Sequence, residues 1–205
     1  MRSRLPVFII PMVFLITGFL SGETSPETIY TDDKYYITYG TLVLDCPIST
    51  VSVLLLDLEH YRDWAFRGMG KSEPDEEWHI AYLQDAIYNR QESVMYVIFG
   101  VHLFRASTRS SSGNSLGFRT IVTMDDYGRL ASVTFSLNEK NSFLREADYG
   151  FDLSADGEKT IIHYFGNVRL SPFIDFFFNL KTYKSNVEWY AVRLVDNLVS
   201  ELTGE

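Results

Sequence analysis

The chain has 205 residues, of which 27 are acidic and 18 are Lys or Arg, giving a formal net charge of −9 at pH 7. This acidity argues against a nucleic-acid partner and against electrostatic docking on anionic lipid, because both need a basic surface. Cys46 is the single cysteine, so the chain cannot form an intrachain disulfide, and its apolar neighbours predict a buried structural thiol.

The first 22 residues have the features of a targeting segment. Arg2 and Arg4 precede Leu5–Leu20, an uncharged apolar stretch that is short for a membrane span and typical of a signal peptide. A cleaved export signal and an uncleaved N-terminal anchor both fit residues 1–22. Either one predicts a periplasmic or extracellular domain, and the anchor would also associate that domain with the membrane. Without the two arginines the formal net charge becomes −11.

Residues 23–33 are polar and turn-rich, and they predict a linker to a single domain over residues 34–205. That domain begins with Lys34–Cys46, which is rich in β-branched and aromatic residues and predicts a strand. Pro47 then begins a helix in which apolar residues recur at helical spacing, and a second short helix is predicted around Glu59–Phe66.

After a loop at Met69–Glu76, the pattern predicts six strands joined by turns rich in Gly, Ser, Asn and Asp. Several of them alternate; in the fourth of the six, Val133 and Phe135 oppose Thr134 and Ser136. Consecutive alternating strands with short turns predict an antiparallel meander with one solvated face. The six strands are Glu77–Asn89, Ser93–Arg105, Leu116–Met124, Leu130–Leu137, Phe143–Leu153 and Lys159–Leu170.

The last predicted element is an amphipathic helix over Ser171–Leu202. Ser171 and Pro172 form an N-cap followed by proline at the first helical position, and apolar residues then recur at helical spacing. Either one long helix or a short aromatic turn followed by a helix fits this pattern. The order of strand, two helices, six strands and helix predicts an α+β helix-grip fold, in which a seven-stranded antiparallel sheet curves around the C-terminal helix.

With this element order, the segment CPISTV at Cys46–Val51, followed by Asp57, Tyr61 and Trp64, resembles the START-like superfamily. That superfamily includes polyketide cyclases, lipid-transfer START domains and Bet v 1-type plant proteins. The resemblance implies an apolar cavity between the sheet and the last helix, gated by the loop and helix that begin near Ser171. We expect Asp57 to form a hydrogen bond across the helix–helix junction and Tyr61 and Trp64 to be packing anchors.

The sequence offers little support for metal or cofactor chemistry. The four histidines fall in four different predicted elements, and none has a ligand-type spacing to another. The sequence has no G-x-S-x-G motif, no phosphate-binding loop and no dinucleotide fingerprint. We therefore expect no metal, no cofactor and no assigned catalytic residue.

Arginine and aromatic side chains that the strand pattern turns inward are the candidate ligand-binding residues. Arg145 shares a predicted face with Phe143, Ala147 and Tyr149, and a guanidinium in an apolar cavity would pair with a carboxylate or phosphate group. Alternatively, each arginine reaches the rim or pairs with a nearby acid, and each aromatic fills the core. The candidates are Arg105, Arg119, Arg145, Tyr149, Trp78, Phe173, Phe177 and Trp189.

Four phenylalanines lie within six positions of the last predicted helix, at Phe173, Phe176, Phe177 and Phe178. They cannot all face one side of a helix. Some must therefore be exposed, cover the mouth of the cavity, or meet a membrane or partner, unless the helix is buried on two sides.

Three functions fit these observations. The first is a non-enzymatic domain that holds a lipid or other hydrophobic small molecule between the sheet and the last helix, as a carrier or sensor. The second is a cyclase- or dehydratase-type enzyme in which an Arg, Tyr or Asp of the same cavity does acid–base work. The third is a partner-binding scaffold whose cavity the aromatic side chains fill.

Overall fold

The computed structural model describes residues 20–70, 81–102, 110–177 and 180–204. The strands are β1 Leu20–Glu23, β2 Glu27–Tyr30, β3 Tyr36–Leu44, β4 Ala81–Asn89, β5 Val94–His102, β6 Ser110–Met124, β7 Leu130–Leu137, β8 Leu144–Asp156 and β9 Lys159–Leu170. The helices are α1 Ile48–Leu56, α2 Tyr61–Trp64, α3 Pro172–Phe177 and α4 Leu180–Thr203, with a 3₁₀ turn at Leu58–His60 between α1 and α2.

The strands form one antiparallel sheet in the order β1-β3-β9-β8-β7-β6-β5-β4, and β2 also pairs with β3. The predicted α+β architecture, with a large antiparallel sheet and a C-terminal helix, is confirmed. The count of seven strands is wrong, because the described residues contain nine. β1 and β2 follow one another along the same edge of β3.

The two additional strands lie in and beside the segment that the sequence assigns to a linker. In β2 only Thr28 is buried, and its hydroxyl lies 2.9 Å from that of Thr38 on β3. The other three β2 residues are exposed, so a short edge strand leaves no alternating pattern in the sequence.

The predicted bounds of β7 and β9 match the structure, whereas β6 begins at Ser110 instead of Leu116. The serine-rich segment Ser110–Ser115, which the pattern predicts to be a turn before the third of the six strands, is therefore part of that strand. Gly113 has a φ of +77°, and the pairing of β5 with β6 shifts register between Phe99 and Val101. A strand that tolerates a bulge at a glycine can continue through a serine-rich segment that looks like a turn.

Ser171 caps α3 as expected: the N–H of Ile174 donates to its Oγ at 3.4 Å, and the N–H of Asp175 donates to its carbonyl at 2.8 Å. α4 ends before Gly204, whose φ of +73° suits the position after a helix. Residues 178–179, between α3 and α4, lie outside the described residues, so the choice between one helix and two segments stays open.

The core lies where the helices cover one face of the sheet. α4 lies against β2 and β3 and also contacts α1 and α2, while α1 packs on β7, β8 and β9. The amide of Asn197 on α4 donates to the carbonyls of Ala65 at 3.2 Å and Arg67 at 2.9 Å, which fixes α4 to the end of α2. Five elements contribute fully buried side chains to this core: Leu42, Leu55, Val133, Ile162 and Leu198.

The sheet curls toward the face that the helices cover. Phe99 on β5 and Phe143, just before β8, have ring centroids 5.6 Å apart, although β6 and β7 lie between them. Three strand spacings amount to about 14 Å in a flat sheet, so this contact needs a curved one. Register shifts in four of the long strand pairs supply bends of the kind that β-bulges produce.

Candidate ligand-binding site

Five aromatic side chains lie on the covered face of β5–β8 and form what we name the inner aromatic face: Phe99, Phe118, Phe135, Phe143 and Tyr149. Phe118 and Tyr149 meet edge to face at 5.8 Å, as Phe99 and Phe143 do at 5.6 Å. Only Phe118 is buried, at 6% exposure, and the other four keep partial access to solvent. The face is therefore an apolar surface that the domain does not fully cover.

The position of the helices explains this access. α1 and α4 make their main backbone contacts with β2, β3 and β7–β9. In the part of the chain that the structure describes, neither helix makes extensive backbone contact with β5 or β6. The inner aromatic face thus extends from the packed core toward strands that are less covered.

A cluster of tyrosines joins this face to the C-terminal helices. The ring of Tyr36 on β3 stacks on Tyr183 of α4 at 4.1 Å and contacts Tyr30 of β2 at 4.6 Å. The hydroxyls of Tyr36 and Tyr30 both donate to the Asp175 carboxylate of α3, at 3.0 and 3.4 Å. Burial and the Asp175 charge raise the pKa of Tyr36, so its hydroxyl stays a neutral donor.

Burial also raises the pKa of Tyr149 and raises that of Tyr183 well above its usual value. Neighbouring hydroxyls add to the effect on Tyr183, since Tyr149 and Tyr36 both lie close to it. These side chains are therefore uncharged hydrogen-bond donors at neutral pH.

Two of the predicted site residues lie on or near the covered face. Tyr149 belongs to the inner aromatic face, and Trp189 lies partly buried on α4. The Trp189 ring meets Tyr190 edge to face at 4.9 Å, and the guanidinium of Arg193 lies 5.3 Å from its centroid. Phe173 on α3 is 68% exposed, and Phe177 is the last residue of that helix. Trp78 and Arg105 lie outside the described residues.

The expectation that Arg145 faces inward is wrong, because a bulge interrupts the alternation of β8. Leu144 pairs with Leu170 and Glu146 with Arg169, so Arg145 is the extra residue and is exposed. Arg119 is also exposed, since Phe118 and Thr120 on either side of it take the inner face.

Arg145 lines an open groove of about 610 Å³ on the exterior, together with Lys140, Asn141, Ser142, Ser171, Pro172 and Phe173. It thus meets one predicted site residue, Phe173, but at the rim of the domain instead of inside it. A second open groove, of about 390 Å³, lies over the helix junction and is lined by Leu54, Asp57, His60, Asp63, Trp64, Arg67 and Glu201.

At that helix junction, Asp57 pairs with His60, with Oδ1 and Nδ1 2.7 Å apart. This hydrogen bond and the Asp57 charge raise the pKa of His60. Tyr61 and Trp64 are 3% and 2% exposed and meet at 4.9 Å, so they are the packing anchors that the sequence predicts. Burial raises the pKa of Tyr61, whose hydroxyl donates to the carbonyl of Leu55 at 2.8 Å.

The described residues contain no group of three or more His, Cys, Asp or Glu side chains that could hold a metal ion. None of their helices is both long enough and apolar enough to cross a bilayer.

No family model matches the sequence, and no curated protein matches it. Solved structures do. The Zhui aromatase/cyclase from a Streptomyces species aligns over 82% of this chain and 93% of its own, with a TM-score of 0.53 and 12% identity. The chain has a START-like fold. A START superfamily protein from Mycobacterium smegmatis aligns over 81% and 96% of the two chains, with a TM-score of 0.49 and 13% identity. A STAR-related lipid transfer protein from Xanthomonas axonopodis aligns over 87% and 99%, with a TM-score of 0.47 and 12% identity.

The START-like fold brings together residues that the sequence did not mark as a site. Tyr36, Asp175 and Tyr183 come from the first long strand and the two C-terminal helices, and the Tyr36–Asp175 hydrogen bond spans 139 positions. In the sequence Tyr183 appears only as one member of an apolar helical stripe. The Tyr183 hydroxyl is the feature that could have marked it as a site residue in the sequence, since a tyrosine in an apolar stripe needs a hydrogen-bond partner or access to a ligand.

Proposed function

We propose that this chain is an exported START-like domain that binds a lipid or other hydrophobic small molecule against the inner aromatic face, as a carrier or sensor. The observation that carries the proposal is the partial exposure of Phe99, Phe135, Phe143 and Tyr149 on the face that the helices cover. Removing apolar side chains from water is favourable. An apolar molecule bound on that face would therefore be stabilised by covering these rings.

The proposal of export rests on the sequence of residues 1–22, with two arginines ahead of an uncharged apolar stretch. The START-like fold supports ligand binding by analogy, because the resemblance implies an apolar cavity between the curved sheet and the C-terminal helix.

The tyrosine hydroxyls favour binding over a cyclase reaction that would use one of them as its base. A base for proton abstraction has a pKa near the working pH. Among the described residues at the inner aromatic face and the tyrosine cluster beside it, the titratable hydroxyls of Tyr36, Tyr149 and Tyr183 all have raised pKa values. Such hydroxyls donate hydrogen bonds and do not abstract protons at neutral pH.

The test is native mass spectrometry with organic extraction on the full chain, produced with its own targeting segment. We expect a lipid or apolar metabolite of defined mass to copurify with the protein. A protein that is empty, and that also fails to take up a fluorescent fatty acyl probe, would overturn the proposal in favour of a partner-binding scaffold.

A pair of variants tests the location of the bound molecule. Phe143→Ala removes part of the inner aromatic face and should reduce probe uptake severalfold. Tyr127→Ala, which removes an aromatic ring that is 83% exposed in the β6–β7 turn, should leave uptake unchanged. Equal effects of the two variants would place the ligand elsewhere.

A further inference from the structure

Three hydroxyl groups on or beside the inner aromatic face have no hydrogen-bond partner in the part of the chain that the structure describes. Thr120 is 8% exposed, and its Oγ1 is buried without a partner. The hydroxyls of Tyr149 and Tyr183 also form no hydrogen bond within the described residues, although burial raises the pKa of both.

Other buried tyrosines in this domain are paired. Tyr61 donates to the carbonyl of Leu55 at 2.8 Å, Tyr164 donates to that of Thr24 at 3.1 Å, and Tyr36 donates to Asp175 at 3.0 Å. Buried hydroxyls in folded proteins are nearly always hydrogen-bonded, and each exception needs an explanation. Thr120 is such an exception, whereas Tyr149 and Tyr183 are half-buried side chains whose hydroxyls are open donors. A polar group of a bound molecule would give all three hydroxyls a partner.

The sheet register places these groups together. Thr120 on β6 pairs with Phe135 on β7, and Phe135 pairs with Tyr149 on β8, so all three lie in one row on the inner face. Thr120 and Tyr149 are then two strand spacings apart, about 10 Å between backbones. The Tyr149 ring also contacts Phe118, two residues before Thr120.

Tyr183 reaches the same region from α4. Its ring stacks on Tyr36 of β3. Tyr36 pairs with Val168 of β9, which in turn pairs with Ala147 of β8. Ala147 lies two residues before Tyr149, on the same face of β8. On β9 the residue opposite Tyr149 is Gly166, and the Tyr149 ring lies over it. The Tyr149 and Tyr183 hydroxyls lie close enough to influence one another, so a small polar group beside them would meet donors from the sheet and from the helix.

The charges around the three hydroxyls indicate what kind of group would bind. Arg119 and Arg145 are exposed and turned away from the inner face. Among the described residues, the electrostatic influences on Tyr149 and Tyr183 come from Asp148 and from other tyrosines, and none comes from a cation. A carboxylate or phosphate buried here would have no counter-charge among the described residues, which is costly, whereas a neutral oxygen needs none.

We propose that Thr120, Tyr149 and Tyr183 bind the polar end of the hydrophobic ligand, and that this end is a neutral oxygen group such as a hydroxyl, ketone or ester carbonyl. This inference rests on the proposed binding function and narrows its ligand class to apolar molecules without a free acid or phosphate. It replaces the anion contact that the sequence suggested for Arg119 and Arg145, which are both exposed.

The test compares three pyrene-labelled probes of one chain length: a fatty alcohol, its methyl ester analogue and the free acid. At pH 8 the alcohol and the ester should bind at least about tenfold more tightly than the acid. Removing the Tyr149 and Thr120 hydroxyls with Tyr149→Phe and Thr120→Val should weaken alcohol binding about three- to tenfold per hydroxyl and leave acid binding unchanged, in line with the net worth of one hydrogen bond.

Tyr61→Phe is the matched control, because it removes a buried hydroxyl that is already satisfied by the Leu55 carbonyl. It should lower the melting temperature without changing the preference among probes. Tyr149→Phe and Tyr183→Phe should leave the melting temperature of the ligand-free protein unchanged or raised, since each removes a hydroxyl that has no hydrogen-bond partner among the described residues.

The outcomes separate the two proposals. Binding of the acid as tight as that of the alcohol, or no response to loss of the hydroxyls, would overturn the neutral-group proposal while leaving hydrophobic binding intact. Failure of all three probes to bind would overturn the proposed function and this inference with it.

Discussion

Trp64 is the residue whose packing most clearly supports the junction between the two N-terminal helices. It is 2% exposed and meets the Tyr61 ring at 4.9 Å. We expect Trp64→Ala to lower the free energy of unfolding by about 3–5 kcal/mol, because a large buried aromatic leaves a cavity that the surroundings only partly fill. Urea unfolding followed by circular dichroism measures this change.

Arg62→Ala provides the comparison for Trp64, since it lies on the same short helix with a side chain that is 56% exposed. Its effect on unfolding should stay within about 0.5 kcal/mol. If the Trp64 variant unfolds at the same urea concentration as the Arg62 variant, Trp64 is not part of the core.

His60 provides a prediction about pH. Its pKa is raised by Asp57, so the pair stabilises the fold most fully below the unfolded-state pKa of about 6.5 and loses that contribution as pH rises through the folded-state value. Asp57→Asn should therefore lower the pKa of His60, as measured by NMR titration of the imidazole. Glu59→Gln should lower it less, because Glu59 is the weakest of the three acids that act on it. A larger shift in the Glu59 variant would show that the Asp57 contact is absent in solution.

Strand–strand packing in this sheet depends on glycines that face aromatic rings on neighbouring strands. The pairs, each also a register pair, are Gly40 with Tyr164, Gly100 with Tyr82, Gly150 with Phe165 and Gly166 with Tyr149. In each pair the aromatic ring fills the volume that a side chain on the glycine would occupy. This packing offsets the destabilising effect of a glycine within a strand.

At Gly150 the restriction comes from the backbone as well as from the ring. A Cβ there would lie 2.5 Å from the carbonyl oxygen of Val133 and 2.9 Å from the Phe165 ring. Gly150→Ala should therefore destabilise the domain by about 1–3 kcal/mol, since β7 and β8 must move apart. Thermal unfolding measures it, and Gly70→Ala, where the nearest atom lies at 3.9 Å, is the neutral comparison. Equal melting temperatures for the two variants would contradict the close approach of β7 and β8.

Individual strands show which parts of the fold the sequence could predict. β7 alternates apolar and polar residues in the sequence, and β9 alternates buried and less buried residues along its length, so the bounds of both strands followed from the sequence pattern. The bulge before Glu146 could not be predicted, because one extra residue changes which side chains face inward without changing composition. The prediction for Arg145 failed for that reason, whereas Tyr149, after the bulge, was placed on the inner face.

Stability across the whole molecule should be uneven, since the sheet is best covered at its centre. Leu42, Val133 and Ile162 have no exposed surface and lie on strands paired on both sides, whereas β1 and β4 are edge strands. We expect amide hydrogens of β3, β8 and β9 to exchange most slowly and those of β1 to exchange fastest. Hydrogen exchange followed by mass spectrometry measures this order. Slow exchange along β1 would mean that another chain covers that edge.

The candidate site forms only when elements that are far apart in the sequence assemble. Local patterns in the sequence identify apolar faces, but they do not say which distant faces meet. Tyr36, Tyr183 and Asp175 become neighbours only after the first long strand, the sheet and the last helices have assembled. Their hydrogen bonds and ring contacts are therefore visible in the structure and not in any short stretch of sequence.

The pairing of β3 with β9 determines when this domain can first become complete during synthesis. Tyr36 pairs with Val168 and Leu44 with Thr160, so β3 leaves the ribosome long before its principal partner exists. Until β9 and the C-terminal helices emerge, the nascent chain exposes a hydrophobic strand edge, and such non-local pairing also makes folding slow. A cell that makes this protein must therefore keep the chain from aggregating until β9 has emerged and paired with β3.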